Sequence, residues 1–199
     1  MRWDQLFDDL ESQLDQEQRD EERALALEEE RLRLGRLVLR DRLAAMAAAA
    51  GEDPSATIRV ELCGGRLLEL RPLSFGRDWM SAALHTAGRR QGQCIVPLAA
   101  IAALLPTPAQ LERSLLPAAE PATRLAERIG LTFVLRDLCR RRMPVHLTTE
   151  DGRVHGTLDR VARDHVDLAL HEPGVARRDR ELRGYRIIPL ERVLVVDFG

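Results

Sequence analysis

Phe133-Val134-Leu135-Arg136-Asp137, then Val145-His146-Leu147, Gly152-Arg153-Val154, Arg163-Asp164-His165 and Ile187-Ile188-Pro189-Leu190 followed by Val193: this stretch decides the fold, because the chain has already said it once. Leu37-Val38-Leu39-Arg40-Asp41, Val60-Glu61-Leu62, Gly65-Arg66-Leu67, Arg77-Asp78-Trp79 and Ile95-Val96-Pro97-Leu98 followed by Ile101 appear earlier in the same order. Composition alone does not produce an order-preserving match at so many points. Residues 37–104 and 133–196 therefore read as two copies of one unit.

Each copy reads as a helix followed by five short strands. In the second, Val145–Thr149 is followed by Glu150-Asp151-Gly152, a hairpin turn in which Asp-Gly supplies positive φ. Val154–Val161, Val166–Glu172, Tyr185–Pro189 and Leu194–Phe198 complete the set. In the first, Thr57–Leu62 alternates apolar Ile58, Val60 and Leu62 with Arg59 and Glu61. Arg66–Ser74 follows, with Pro72 marking an edge or a bulge, then Trp79–Thr86, Gly92–Pro97 and Ile101–Leu104. Pro97–Ala100 reads as one helical turn. Gly51–Ser55 is a break. Five short strands with a tight turn and a helical turn suit a small barrel, and a capping helix adds the buried area that a unit of this size needs.

The second copy resembles the Sm-like (LSm) family, on Val145-His146-Leu147, Gly152-Arg153-Val154-His155-Gly156-Thr157-Leu158, Asp164-His165-Val166-Asp167-Leu168 and Leu182-Arg183-Gly184. The first copy shares the resemblance through the repeat. It implies an α+β, mainly β chain: two tandem Sm-like (SH3-like) five-stranded barrels, each preceded by a helix, with a long N-terminal helix. The expected organisation is an acidic helix over 1–50, barrel one over 56–105, a Pro-rich linker over 106–122, a capping helix over 123–143 and barrel two over 144–199. In that family an Asn and an Arg line a uridine pocket. The matching positions here are Asp167 and Arg183, and in the first copy Ser81 and Gln91. Asp accepts hydrogen bonds but does not donate them, and it repels phosphate, so the pocket is degraded. The chain also resembles uncharacterised two-barrel proteins of high-GC actinobacteria, which carry no activity to transfer.

The helical segments read as follows. Residues 3 to about 46 form one helix, with Trp3, Leu6, Phe7, Leu10 and Leu14 on one stripe and Gly35 as a weak point. Leu32 to Met46 dock on the first barrel. Glu28–Glu30 lie within four residues of Arg31, Arg33 and Arg36, close enough for ion pairs. Leu111–Leu116 makes one turn. Thr123 caps a helix over Arg124–Arg142 with Leu125, Ile129, Phe133, Leu135 and Leu138 inward, and Pro144 ends it.

Charge and composition narrow the function. All 30 basic side chains are Arg, which reads as codon bias, and the net charge is −2, giving no global attraction for nucleic acid. Residues 1–50 carry 13 acids and 8 Arg, so an acidic arm precedes a mildly basic body. Met1-Arg2-Trp3-Asp4 leads into no apolar run, so no signal peptide, no membrane span and a cytoplasmic protein are expected. Cys63, Cys94 and Cys139 have no paired spacing and read as core thiols.

No catalytic, cofactor or metal set is expected, since GxSxG, Walker and HExxH patterns are all missing. His146, His155, His165 and His171 have no metal-ligand spacing, although His146 and His155 read as outward-facing cross-strand neighbours. Large apolar groups at the start of an acidic helix, Trp3, Leu6, Phe7 and Leu10, give the strongest interaction signal: a protein-docking stripe for a basic partner. Arg177, Arg178, Arg180 and Arg183, with Asp167, are the nucleic-acid alternative, though the chain is only 4% aromatic and offers Tyr185 alone for stacking. The expected function is a non-enzymatic adaptor acting through protein–protein contacts. It is a monomer with internally paired barrels or a homodimer, and the alternative is an RNA- or DNA-binding regulator.

Overall fold

The computed structural model describes residues 3–50, 56–86, 89–116, 128–174, 178 and 182–198, with side chains described except at 3–12, 49–50, 86 and 89–91. Gly51–Ser55, residues 117–122 of the Pro-rich linker and Thr123 lie outside these residues. The chain divides into two units, residues 1–38 and 39–199.

The first unit is a single helix, α1 (Trp3–Gly35). Its described surface is laced with (i, i+3) and (i, i+4) pairs: Arg33 to Glu30 at 2.6 Å, Arg23 to Asp20 at 3.1 Å and Arg19 to Asp15 at 3.6 Å. Leu14, Leu25, Leu27 and Leu32 are exposed along it. The continuous helix expected to Met46 breaks after Gly35, where a missing side chain makes helix cheapest to interrupt, and restarts as α2 (Leu39–Ala50).

The second unit holds one ten-stranded antiparallel sheet. The first half supplies β1 (Ile58–Leu62), β2 (Leu67–Phe75), β3 (Trp79–Thr86), β4 (Arg89–Pro97) and β5 (Ile101–Leu104). Helix α3 (Pro108–Ser114) follows, started by a Thr107–Gln110 capping box. Helix α4 (Leu131–Arg140) opens the second half, which supplies β6 (Pro144–Thr149), β7 (Gly152–Val161), β8 (His165–Leu170), β9 (Gly184–Pro189) and β10 (Val195–Phe198). Strand order is β5-β1-β2-β3-β4-β10-β6-β7-β8-β9, so both halves use the same permutation, fifth-first-second-third-fourth. Neither half closes on itself by hydrogen bonds; the sheet runs open from β5 to β9 instead of forming two closed barrels. The physical reason is at β4 and β10, which spend their edges on each other: Ile95 pairs with Val196, Cys94 with Asp197 and Gln93 with Phe198.

Local contacts repeat as well. Gly76 N–H donates to Trp79 O and Ala162 N–H to His165 O; Leu98 N–H donates to Asp78 O and Leu190 N–H to Asp164 O. A helix arginine reaches each β2–β3-type turn, Arg40 to Gly76 O at 2.9 Å and Arg136 to Val161 O at 3.3 Å. A 3-10 turn precedes each last strand, Leu98–Ala100 and Leu190–Arg192. Duplication is therefore visible in backbone geometry as well as in sequence.

Each half has its own core. The first is built on Leu43, Met46, Val60, Leu62, Leu70, Met80 and Val96, and includes Leu194 and Val195 from the second half. The second is built on Leu131, Leu135, Leu138, Val145, Leu147, Leu158, Val166 and Leu168, and takes Trp79 and Ile95 from the first half. Adjacent residues of β4 and of β10 point to opposite faces, so the seam feeds both cores at once.

A second joint reinforces the seam. Asp78 Oδ1 accepts from Leu131 N–H at 2.7 Å, placing an acid from the first half at the N-terminus of α4. Trp79 Nε1 donates to Ile129 O at 2.9 Å, and Arg77 N–H donates to the same carbonyl. A Cβ on Gly76 would lie 2.0 Å from the Trp79 indole nitrogen, so only glycine lets the ring lie across this turn.

Several boundaries differ from expectation. Leu32 and Leu39 are exposed, and packing of this stretch into the first core begins at Leu43. Phe133 is exposed, because α4 turns Leu131, Leu135 and Leu138 inward. Pro72, by contrast, meets its expectation: it lies in β2 beyond Leu70, the last residue paired with β1, and the ladder to β3 shifts register between Pro72 and Ser74, as at a bulge.

Candidate functional site

The chemistry-bearing side chains gather on the second half. Strand β9 is the last in the sheet, paired with β8 through Val166–Ile188 and Asp167–Ile187 and, among the described residues, bare on its other side. Ile188 enters the core, whereas Tyr185 is 58% and Ile187 71% exposed. Ile187 is the repeat counterpart of Ile95, which is 2% exposed because β10 lies beside it. One position in one unit is thus buried by a neighbouring strand in the first half and left open in the second.

Beside β9 lies a cleft of about 240 Å³, lined by Val154, Arg186, Ile188, Pro189, Arg192 and the hairpin residues Thr149 and Asp151. Arg192 is held 3.5 Å from Glu150. In the first half the comparable open side is filled by Leu194 and Val195. The turn beside β9 follows the same rule. Asp164, counterpart of the helix-capping Asp78, has its side chain 85% exposed and accepts from the adjacent His165 Nδ1 at 2.7 Å.

The Arg-rich loop is partly described. Arg177 and Arg180 lie outside the described residues, and Arg178 is exposed. Arg183 is ion-paired with Glu172. Asp167 sits mid-β8, 3.5 Å from Arg160, and its Oδ1 is buried without a hydrogen-bond partner. The ladder puts Asp167 opposite Ile187 and Leu170 opposite Gly184, so Asp167 and Arg183 stand about four residue steps apart, roughly 13 Å along the strand. Each is matched with a different ion. The side chains of Trp3, Leu6, Phe7 and Leu10 lie outside the described residues, although their backbone is helical within α1. In the first copy, Ser81 shares a 2.7 Å hydroxyl contact with Ser74, and the Gln91 side chain is outside the described residues.

The histidines do assemble. His146 and His155 are ladder partners, with ring centroids 4.4 Å apart. His171, just beyond β8, lies 5.0 Å on the other side of His155. Far from facing freely into solvent, His155 has both ring nitrogens buried without a hydrogen-bond partner. His171 is buried, with Thr157 Oγ1 at 2.8 Å from Nε2 and Glu172 O at 3.1 Å from Nδ1. Among the described residues, no group of His, Cys, Asp or Glu is arranged to hold a metal ion.

The cysteines are core groups. Cys94 is buried, and burial together with nearby Asp197 pushes its thiol up to about 12. Burial also raises the Cys139 thiol. All three are free thiols. Among the described helices none is long and apolar enough to cross a membrane.

Sequence reasoning missed the open β9 edge, the trans cap by Asp78 and the entry of His171 into the histidine row. The edge had a signal: Ile187-Ile188 is adjacent apolar in a strand with only one buried face, so one of the two needs a cover. The cap and the row had none, because they depend on which turns and strands meet. No protein-family model, curated protein or solved structure matches the chain.

Proposed function

We propose that this protein is a non-enzymatic adaptor, built from two tandem Sm-like units, that works by taking an extended strand of a partner protein onto β9. The observation that carries the reading is the contrast between Ile95 and Ile187, the same repeat position covered in one half and 71% exposed in the other. Unpaired strand edges present rows of backbone donors and acceptors, and a bare apolar edge invites strand addition.

The internal seam supplies the chemistry of the occupant. There, the first half receives the strand Val195-Val196-Asp197-Phe198, with Asp197 opposite Cys94 and Leu194 and Val195 filling the open side of the core. The counterpart of Cys94 on β9 is Arg186. The matching partner is an antiparallel apolar strand with an acidic side chain opposite Arg186 and an aliphatic residue entering the cleft beside Ile188. The acidic arm, with Trp3, Leu6, Phe7 and Leu10, is a second docking element for a basic partner in this reading. Nucleic acid is the weaker alternative, because Arg183 is neutralised by Glu172 and Asp167 places an acid where phosphate would approach.

A charge swap tests the proposal. The probe is a labelled peptide of residues 193–198, Val-Leu-Val-Val-Asp-Phe, titrated into the full chain. Arg186→Glu is expected to weaken binding by at least about tenfold. Replacing the peptide's Asp by Lys is expected to restore binding to Arg186→Glu. Equal binding of the original peptide by wild type and Arg186→Glu overturns the assignment of this edge.

A further inference from the structure

Three imidazoles cross the second half in one transverse row, His146 on β6, His155 on β7 and His171 just past β8, at centroid spacings of 4.4 and 5.0 Å. Their protonation states follow from their neighbours. Glu172 O is a carbonyl and accepts only, so His171 Nδ1 donates to it. The neutral ring then offers Nε2 as an acceptor, and the Thr157 hydroxyl donates to it. His155, in the middle, has no such provision: both nitrogens are buried with no hydrogen-bond partner.

The charged groups around the row make a proton there still less welcome. Arg153 on β7 repels a charge on either His146 or His155, and each histidine repels its neighbour. Glu172 beside His171 and Asp197 on β10 attract one. Glu172, however, is ion-paired with Arg183, and Asp197 is held by Arg153 at 3.0 Å. Cys94, across the seam from Asp197, stays a neutral thiol and supplies no compensating anion.

We infer that the His146–His155–His171 row is a proton sensor built into the sheet: uncharged, the three rings pack against one another, tilted and edge-on, across β6, β7 and β8; charge on His146 or His155 loosens these strands and the Arg153–Asp197 clasp on the seam strand β10. Because β10 feeds both cores, the signal reaches the joint between the two halves. This is independent of what binds β9.

Burial, then Arg153, holds His146 below the ordinary imidazole value; burial, then His146, His171 and Arg153, does the same for His155. In the unfolded chain both titrate near about 6.5. The unfolded state therefore takes up protons first as pH falls. The row's stabilising contribution is complete above about 6.5 and is lost as pH drops from there through the lower folded-state values.

The experiment is thermal unfolding of the full chain between pH 8 and 5, with His155→Phe alongside, and an NMR titration of the imidazole Cε1 protons. Phenylalanine fills the site without a proton to bind. The wild-type midpoint is expected to fall about 2–8 °C further than that of His155→Phe between pH 7.5 and 5.5. His146 and His155 are expected to titrate below a histidine model peptide. Equal pH losses in the two proteins, or titration of both rings at or above the model-peptide value, overturns the inference. If His155→Phe does not fold, the wild-type titration decides alone.

Discussion

Ile95 and Ile187 hold one place in two copies of a unit, and their surroundings alone set what each is worth. Ile95 lies at 2% exposure between Val196 and the second core, so Ile95→Ala removes buried methylenes and leaves a cavity. The expected cost is about 2–5 kcal/mol. Ile187→Ala removes a side chain that already meets water and is expected to change stability by less than about 0.5 kcal/mol. Urea unfolding of both variants checks this, and equal costs would mean that β9 is covered in solution. The thiols give a second residue-scale test. Cys94, with its thiol pushed up to about 12, is expected to resist a thiol reagent at pH 8 until the sheet unfolds.

Elements meet where turns and helix ends complete one another. Asp78 and Asp164 sit at matching turns, yet only Asp78 reaches a helix N-terminus. Asp78→Ala is expected to cost about 1 kcal/mol, the usual worth of a cap, and Asp164→Ala close to nothing. Chemical denaturation of the pair distinguishes a joint from a solvated turn. The same comparison marks how far sequence reasoning carries. Alternation in Ile58-Arg59-Val60-Glu61-Leu62, the Asp151-Gly152 turn and the repeated Ile-x-Pro-Leu placed all ten strands within a few residues, since these signals are local. The break after Gly35 was visible only as a weak point, because helix continuation depends on what α2 packs against. Closure was misjudged for a related reason. Whether β4 meets its own β5 or another unit's last strand is a long-range choice, which neighbouring residues do not encode. Of the candidate site residues, Asp167, Arg178 and Arg183 have described side chains; Arg178 is exposed, and Asp167 and Arg183 are each matched with an opposite charge that lies elsewhere in the chain.

At the scale of the whole molecule, two cores share one seam. Val195 of the second half and Cys94 of the first belong to the first core, whereas Val196 and Ile95 belong to the second. Neither core is complete without the other half, so residues 39–199 are expected to unfold in a single cooperative step despite their duplicated plan. Near-UV and far-UV signals that part into two transitions would instead describe two independent units. In the adaptor proposal, the open ends of the sheet, β5 and β9, are where the chain meets other molecules. The composition agrees with a protein partner: a net charge of −2 gives nucleic acid no long-range attraction, and the base-stacking inventory is small.

The most direct test of that claim is a binding titration of the full chain against a random single-stranded RNA pool and duplex DNA, at low and at physiological salt. The adaptor reading expects no binding at physiological salt and at most weak binding at low salt, unchanged when Arg177, Arg178, Arg180 and Arg183 are replaced by Ala. Tight binding that falls steeply with salt and disappears in that quadruple variant would contradict it and make this a nucleic-acid-binding protein.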